Sequence, residues 1–515
     1  MDGCVIGYDL GSQGAKATLC SSDGRILGSA YQDYPIIYPR PAWAEQEPSH
    51  WIAALKSITL RVLEQTSGQA KRVLGLGLDA YVDSILPVDE QLQPLRNAFL
   101  WMDRRAVSQC EQLAKSISPA RLFELTGLNL DPSHSAAKIL LIRDNEPELF
   151  ERAYKFLVPA SYMVGYLTGE LAVDYSNASS TMLLDITTRE WSDEILAAMQ
   201  LTKEKLAPVK PATAVAGFLR PKVAIELGLP EGIPVVVGCG DEHASCVGAG
   251  VIGPGPVCDI GGTAEPVAAA TSQPLYDPTR LVETHCHADP DSWLMENPGF
   301  VSGANLRWYR DHFAPAEMET ARVTGIDAYE LLTLQARDIP PGADGLIFLP
   351  CLMGAMTPEW NAHARGVIYG LTLHHRRAHI ARSFLEASAY GLRDIVERMI
   401  ACGLECQEIR AVGGQASSSL WRQIKADVTG IPVTSLAVNE TASLGAALLA
   451  AVAVGLFPGL KDAADVFVQK VDTKYPDARA HAMYNKSYDL YREVYQRLQP
   501  TFRPEWSSGN VVSDT

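Results

Sequence analysis

The sequence predicts an α/β protein built from two related halves. Three observations carry that expectation. Apolar strand-like runs alternate with amphipathic helical stretches along the chain. A strand-ending acid with a glycine turn, Asp9-Leu10-Gly11-Ser12-Gln13-Gly14, recurs half a chain later as Asp259-Ile260-Gly261-Gly262-Thr263-Ala264. The 515 residues also exceed what one hydrophobic core holds.

From the N-terminus, VIGYDLG turns into AKATLCS and then, through SSDG, into RILGSAYQDY, a meander of three strands. A helix is expected over 51–65, with Ser49 as its cap, and VLGLGLD (73–79) reads as the next strand. IPVVVGCGDEHASCVGAG (233–250) reads as a buried strand running into a helix. GVIGPGP (250–256) then serves as the crossover, dividing a domain 1–253 from a domain 254–500 and leaving a polar tail, 501–515. In the second half, RAVGGQASSSLWRQIKADVTGIPVTSLAV (410–438) reads as strand, glycine turn, helix, strand. The apolar run LGAALLAAVAVGLF is too short and alanine-rich to span a membrane and reads as a buried helix.

Charge and cysteine usage narrow the function classes. With 60 acidic against 44 basic residues, the net charge of −16 argues against a nucleic-acid or anionic-membrane surface. Ten cysteines without CxxC spacing, behind a start that lacks a cleavable leader, suit reduced thiols in the cytoplasm. A polyphosphate ligand on so acidic a chain must be met by backbone N–H groups, helix N-termini and a cation.

The turn after the first strand suits such a ligand. Gly11, Ser12, Gln13 and Gly14 present N–H groups to phosphates, Asp9 holds Mg²⁺ through water, and Lys16 adds a point charge. A plain hairpin that needs its glycines explains the same residues. Asp241, where a strand gives way to a helix, is placed for a general base that orients a hydroxyl in phosphoryl transfer, or for a simple N-cap. Gly413, Gly414 and Gln415 suit close approach of a base or ribose, or only a tight junction, and Glu440 reads as a cap. Trp101, Asp103 and Arg105 suit a polyhydroxy ligand, or a surface salt bridge. His285 and His287 point to one strand face but lack an evident third metal ligand.

Taken together, YDLGSQGAK, AWAEQEP, LWMDRR, KILLIRDNEPELF, GCGDEHASCVGAG, DIGGT, MTPEWNAHARGVIYGLT, GGQASSSLWRQIKADVTG and ETASLGAA resemble, in order, the blocks of the FGGY carbohydrate kinases. DYSNASSTMLLDITTREWSDEIL is similar to the xylulokinase branch. The resemblance covers nearly the whole chain. It implies the actin-like ATPase fold, two ribonuclease-H-like domains with the active site in the cleft between them. It implies ATP and Mg²⁺ as cofactors, and phosphorylation of a terminal hydroxyl of a ketose such as xylulose or a related sugar or polyol. An actin- or Hsp70-like switch, or an inactive relic, is the alternative. By the resemblance Asp241 is the base, Asp9 and Asp241 face the metal, Gly261, Gly262 and Thr263 form a second phosphate loop, and Gly413–Gln415 meet adenosine. It leaves a homodimer open. The chain departs from the xylulokinase pattern at the acceptor: Tyr81-Val82-Asp83-Ser84 replaces Gln-Met-His-Gly, and Glu242 follows the base where Asn or Gln is usual. Tyr81, Asp83 and Glu242 are therefore expected at the substrate, beside Trp101, Asp103 and Arg105.

Overall fold

The computed structural model describes residues 3–503. Strands β1 (Cys4–Gly11), β2 (Gly14–Ser21) and β3 (Ile26–Asp33) form the expected antiparallel meander. Helix α1 (Pro48–Gln65) follows, burying Trp51, Leu55, Ile58 and Val62 at helical spacing. Its start corrects the expected Ser49 cap. Glu47 is the N-cap residue, Pro48 opens the helix, and Ser49 lies inside it, donating from Oγ to Glu47 Oε1 at 2.7 Å. Proline's fixed φ and missing N–H suit a first helical position, so Pro48 sets the boundary.

Strand β4 (Val73–Ala80) lies parallel to β1. After a largely helical stretch between 107 and 199 come β5 (Val215–Phe218), β6 (Pro234–Val236), β7 (Cys239–Gly240) and helix α2 (Asp241–Gly248). The first sheet runs β5-β6-β4-β1-β2-β3, with β7 paired to the end of β4.

The second half repeats the plan. Its elements are β8 (Gly255–Ile260), β9 (Ala264–Thr271), β10 (Glu283–Cys286), β11 (Trp293–Val301), α3 (Arg377–Ala401), β12 (Cys406–Val412), α4 (Ser419–Thr429), β13 (Val433–Leu436), α5 (Thr441–Ala453) and β14 (Lys470–Lys474). The sheet runs β10-β11-β9-β8-β12-β13-β14. β8 is antiparallel to β9 and parallel to β12, as β1 is to β2 and β4. The sequence echo is therefore an echo of topology.

The halves are held together by exchanged helices. Helix α5 packs its alanine-rich surface on the first sheet, burying Leu444, Ala447 and Leu448 with Val5 and Val236. Helix α2 sends Cys246 to Cys258 and Ala268 of the second sheet. Two glycines make the close approach of α5 feasible. A Cβ on Gly7 would stand 2.0 Å from the Ser443 carbonyl oxygen, and one on Gly77 1.8 Å from that of Ala446. Thr18 and Ser443 hydroxyls add a hydrogen bond across the junction at 2.7 Å. Among the described residues, no helix is long and apolar enough to cross a membrane. Of the tail expected from 501, residues 504–515 lie outside the described residues, and Gln499–Thr501 form a short 3₁₀ turn.

Candidate active site

Three strand ends converge at one edge of the first sheet. β4 lies between β1 and β7, and the register sets Asp9 beside Asp79 and Asp79 beside Cys239. Asp241 opens α2 two residues later, with Gly240 as the N-cap residue. Asp241 is thus the first helical residue and not the cap; its Oδ1 accepts the Glu242 N–H at 3.0 Å. Carboxyl ends of parallel strands are where ligands of α/β sheets bind.

The electrostatics of this edge are unusual. Asp79 is fully buried and no donor reaches either carboxylate oxygen. Burial, then the charges of Asp9 and Asp241, hold its carboxyl well above the usual range. Burial pushes Asp9 up to about 6. Asp241 is raised well above the usual range by burial and then by Glu242 and Asp9. Three adjoining acids need protons or a cation to offset them. The orphaned oxygens of Asp79 beside the partly open Asp9 and Asp241 therefore fit a hard divalent cation. Asp79 was not singled out from the sequence; its position at the end of VLGLGLD, one strand over from Asp9, was the available signal.

The first glycine turn is braced from below. Tyr34 donates its hydroxyl to the Gly11 carbonyl at 2.5 Å, and Gln46 Nε2 donates to the Ser12 carbonyl at 3.0 Å. Trp101 Nε1 donates to Ser12 Oγ at 2.9 Å, and Gln13 is exposed. Lys16 Nζ lies 3.5 Å from Glu440 Oε2, so the cation reaches across to the other half. Glu440 stands at the N-cap of α5 but makes no capping hydrogen bond.

On the second half, Gly261, Gly262, Thr263, Gly414 and Gln415 line a cavity of about 1060 Å³, together with Ser417–Trp421, Arg307, Tyr329 and Arg337. Gln415 clasps the two glycine turns: its N–H donates to the Gly261 carbonyl at 3.1 Å and its Nε2 to the Gly262 carbonyl at 3.2 Å. Gly413 donates its N–H to Asn439.

The expected acceptor residues divide. Asp83 faces His134, Oδ1 to Nδ1 2.9 Å, in a left-handed backbone conformation with φ 57°. Burial holds the Glu242 carboxyl above its usual range. Three others are committed elsewhere, which corrects their expected place. Tyr81 is buried and donates its hydroxyl to Gln46 Oε1 at 2.8 Å, bracing the first turn. Asp103 is fully buried, taking the Ala44 N–H at 2.8 Å and Arg105 Nη2 at 2.6 Å. Arg105 also pairs with Glu45 at 2.8 Å and lies 3.6 Å over the Trp43 ring. The expected surface salt bridge is in fact an interior one.

Long-range packing brings in residues the sequence reading passed over. His243 sets its ring 5.5 Å from His285 and 6.4 Å from His287, but His287 already uses both nitrogens, on Val251 and Asp289. Away from the cleft, Asp344, His374 and His379 lie within metal-ligand reach of one another. His379 Nδ1 accepts the Arg376 N–H, which leaves the ring proton on Nε2, directed to Asp344 at 3.1 Å. That ring donates to the acid.

With this geometry in place, comparison with known proteins is specific. The model of the FGGY family of carbohydrate kinases matches in both its parts, the N-terminal domain over residues 4–248 and the C-terminal domain over 260–454. The chain belongs to the FGGY family of carbohydrate kinases. It is 32% identical to the xylulose kinase of Escherichia coli over 96% of this chain and 99% of that one. It is 30% identical to the gluconokinase of Bacillus subtilis over 88% of each. Among solved structures, a ligand-bound xylulose kinase from Lactobacillus acidophilus superposes with a TM-score of 0.88 at 25% identity, covering 97% of this chain and 99% of that one. The two-domain, actin-like ATPase fold expected from the sequence is the fold observed, and the alternative of a nucleotide switch finds no support among these relatives.

Proposed function

We propose that this kinase moves the terminal phosphoryl group of ATP to a terminal hydroxyl of a ketose such as xylulose, or of a related sugar or polyol. The observation that carries the reading is the meeting of Asp9, Asp79 and Asp241 at one sheet edge, in a chain whose other half lines a cavity with two glycine turns. Asp241 is the base. A raised carboxyl suits it, because the loose transition state of phosphoryl transfer asks the base mainly to orient the hydroxyl and accept its proton late. Gly11, Ser12 and Gln13 on one side and Gly261, Gly262 and Thr263 on the other meet the phosphates, while Gly413–Gln415 border the adenosine. Mg²⁺, when bound by Asp9 and Asp241, neutralises charge on the phosphates. Trp101 closes over the first turn through its bond to Ser12. The ten cysteines, all free, support a cytoplasmic setting.

Sugar-dependent ADP release tests the proposal. The full chain should release ADP only when an acceptor sugar is present, and Asp241→Asn should lower kcat by roughly 100-fold or more with ATP binding kept. ATP hydrolysis that ignores every sugar, or normal turnover in Asp241→Asn, would end the proposal.

A further inference from the structure

A second helix start is fastened to the loop that follows β4, and it carries a histidine that the proposed reaction has not used. Helix Ser135–Asn145 has His134 as its N-cap residue. Lys138 clamps that helix to the loop, donating from Nζ to the carbonyls of Asp83 at 2.6 Å, Leu100 at 2.7 Å and Ser133. Ser135 Oγ adds a bond to the Ser84 carbonyl at 3.3 Å. On its other side the loop abuts the residue before Asp241: a Cβ on Gly240 would stand 2.6 Å from Val82 Cγ1. The second half closes the surroundings through Ser180. Its carbonyl lies 3.2 Å from His134 Nδ1, and its hydroxyl lies 3.2 Å from Nδ1 of His285 on β10. His134 therefore stands between the loop beside Asp241 and a strand of the other half.

The two ring nitrogens are in different states. Nδ1 faces only acceptors, Asp83 Oδ1 at 2.9 Å and the Ser180 carbonyl, so it carries a proton. Nε2 makes no hydrogen bond among the described residues, yet it is not sealed in as both nitrogens of His243 are. A carboxylate on one imidazole nitrogen fixes the ring's orientation and leaves the other nitrogen for a ligand. Resting on the kinase reading above, we infer that His134 binds the acceptor: Asp83 and the Ser180 carbonyl hold Nδ1, and Nε2 meets an oxygen of the sugar or polyol whose terminal hydroxyl Asp241 orients. Against the ring's burial, the Asp83 carboxylate, with Glu283 and Asp131 behind it, raises the imidazole to about 9. Nε2 is thus protonated near neutral pH and donates, while the hydroxyl or carbonyl oxygen of the acceptor takes the bond. Asp83, one of the chain's departures from the xylulokinase pattern, acts through the imidazole as a positioning residue.

Two variants of the full chain separate the nitrogens, each checked for folding by its melting curve. In His134→Asn the amide nitrogen falls at the place of Nδ1 and keeps the contacts with Asp83 and Ser180. In His134→Gln it reaches the place of Nε2. Both are compared with the unsubstituted protein by calorimetric binding and by ADP release at saturating ATP, with D-xylulose, D-ribulose and xylitol. His134→Asn should raise KM for the best acceptor about 10-fold with kcat and KM for ATP held, because a contact made alike in the ground and transition states acts on binding. His134→Gln should stay within about threefold of the unsubstituted protein. The reverse order, an equal rise in both, or an acceptor KM unmoved in both overturns the inference and leaves the kinase intact. An unsubstituted protein that binds a sugar without sugar-dependent ADP release overturns the kinase reading, and the order of the two variants in calorimetry still decides the role of His134. Binding of none of the three compounds overturns both.

Discussion

The acid–glycine turn of the first half and its counterpart in the second have one topology and opposite electrostatics. Asp9 lies near the end of β1, is partly open, and has as its neighbour on β4 another acid, the orphaned Asp79. Asp259 is fully buried near the end of β8, where Lys425 Nζ reaches its Oδ2 at 2.5 Å and Glu265 Oε1 at 2.9 Å. The backbone device is common to both halves, and the charge economy differs. Where the acid's cross-strand lysine, Lys16, pairs instead with Glu440, the protein holds unfavourable charge that a ligand relieves, a pattern typical of functional sites. Where the acid is paired, it is part of the framework behind a glycine turn.

The largest effect should come from breaking the paired side. Lys425→Met leaves Asp259 and Glu265 buried without their cation and should cost about 3–5 kcal/mol of stability in chemical denaturation. A smaller loss would mean that the second turn is not framework. Next, Asp241→Asn should cut kcat by roughly 100-fold while the melting temperature holds or rises, because burial already disfavours its charge. Loss of stability there would erase the contrast between the halves. Asp79→Ala removes an unsatisfied buried carboxyl and should stabilise the ligand-free protein by about 1 kcal/mol. Destabilisation would show that Asp79 is paired in solution.

The smallest effect is pH-dependent and belongs to the Asp83–His134 pair. Burial alone would lower His134, but the Asp83 carboxylate beside it raises the imidazole to about 9. The folded state therefore holds a proton that the unfolded chain releases near pH 6.5. Stability from this pair is full below about 6.5 and is lost as pH rises through about 9. Asp83→Asn should flatten that slope in melting curves across the same window. An unaltered slope would mean that His134 is charged for another reason.

What the sequence by itself determined was local. The meander, the two acid–glycine turns and the strand-to-helix step at Asp241 are each written in contiguous residues, because alternation of apolar side chains and glycine placement act over a few positions. Helix α5 was recognisable as buried from its alanines, but not as a cover for the opposite half; that follows from Gly7 and Gly77, which admit its backbone. The tertiary structure alone decided which charges have partners. Lys425 lies 166 positions from Asp259. Tyr81, Asp103 and Arg105 carry polar groups fit for a ligand, yet nearby Gln46, Ala44 and Glu45 claim them. A side chain's chemistry is set by its residue type, whereas its availability depends on distances that only packing fixes.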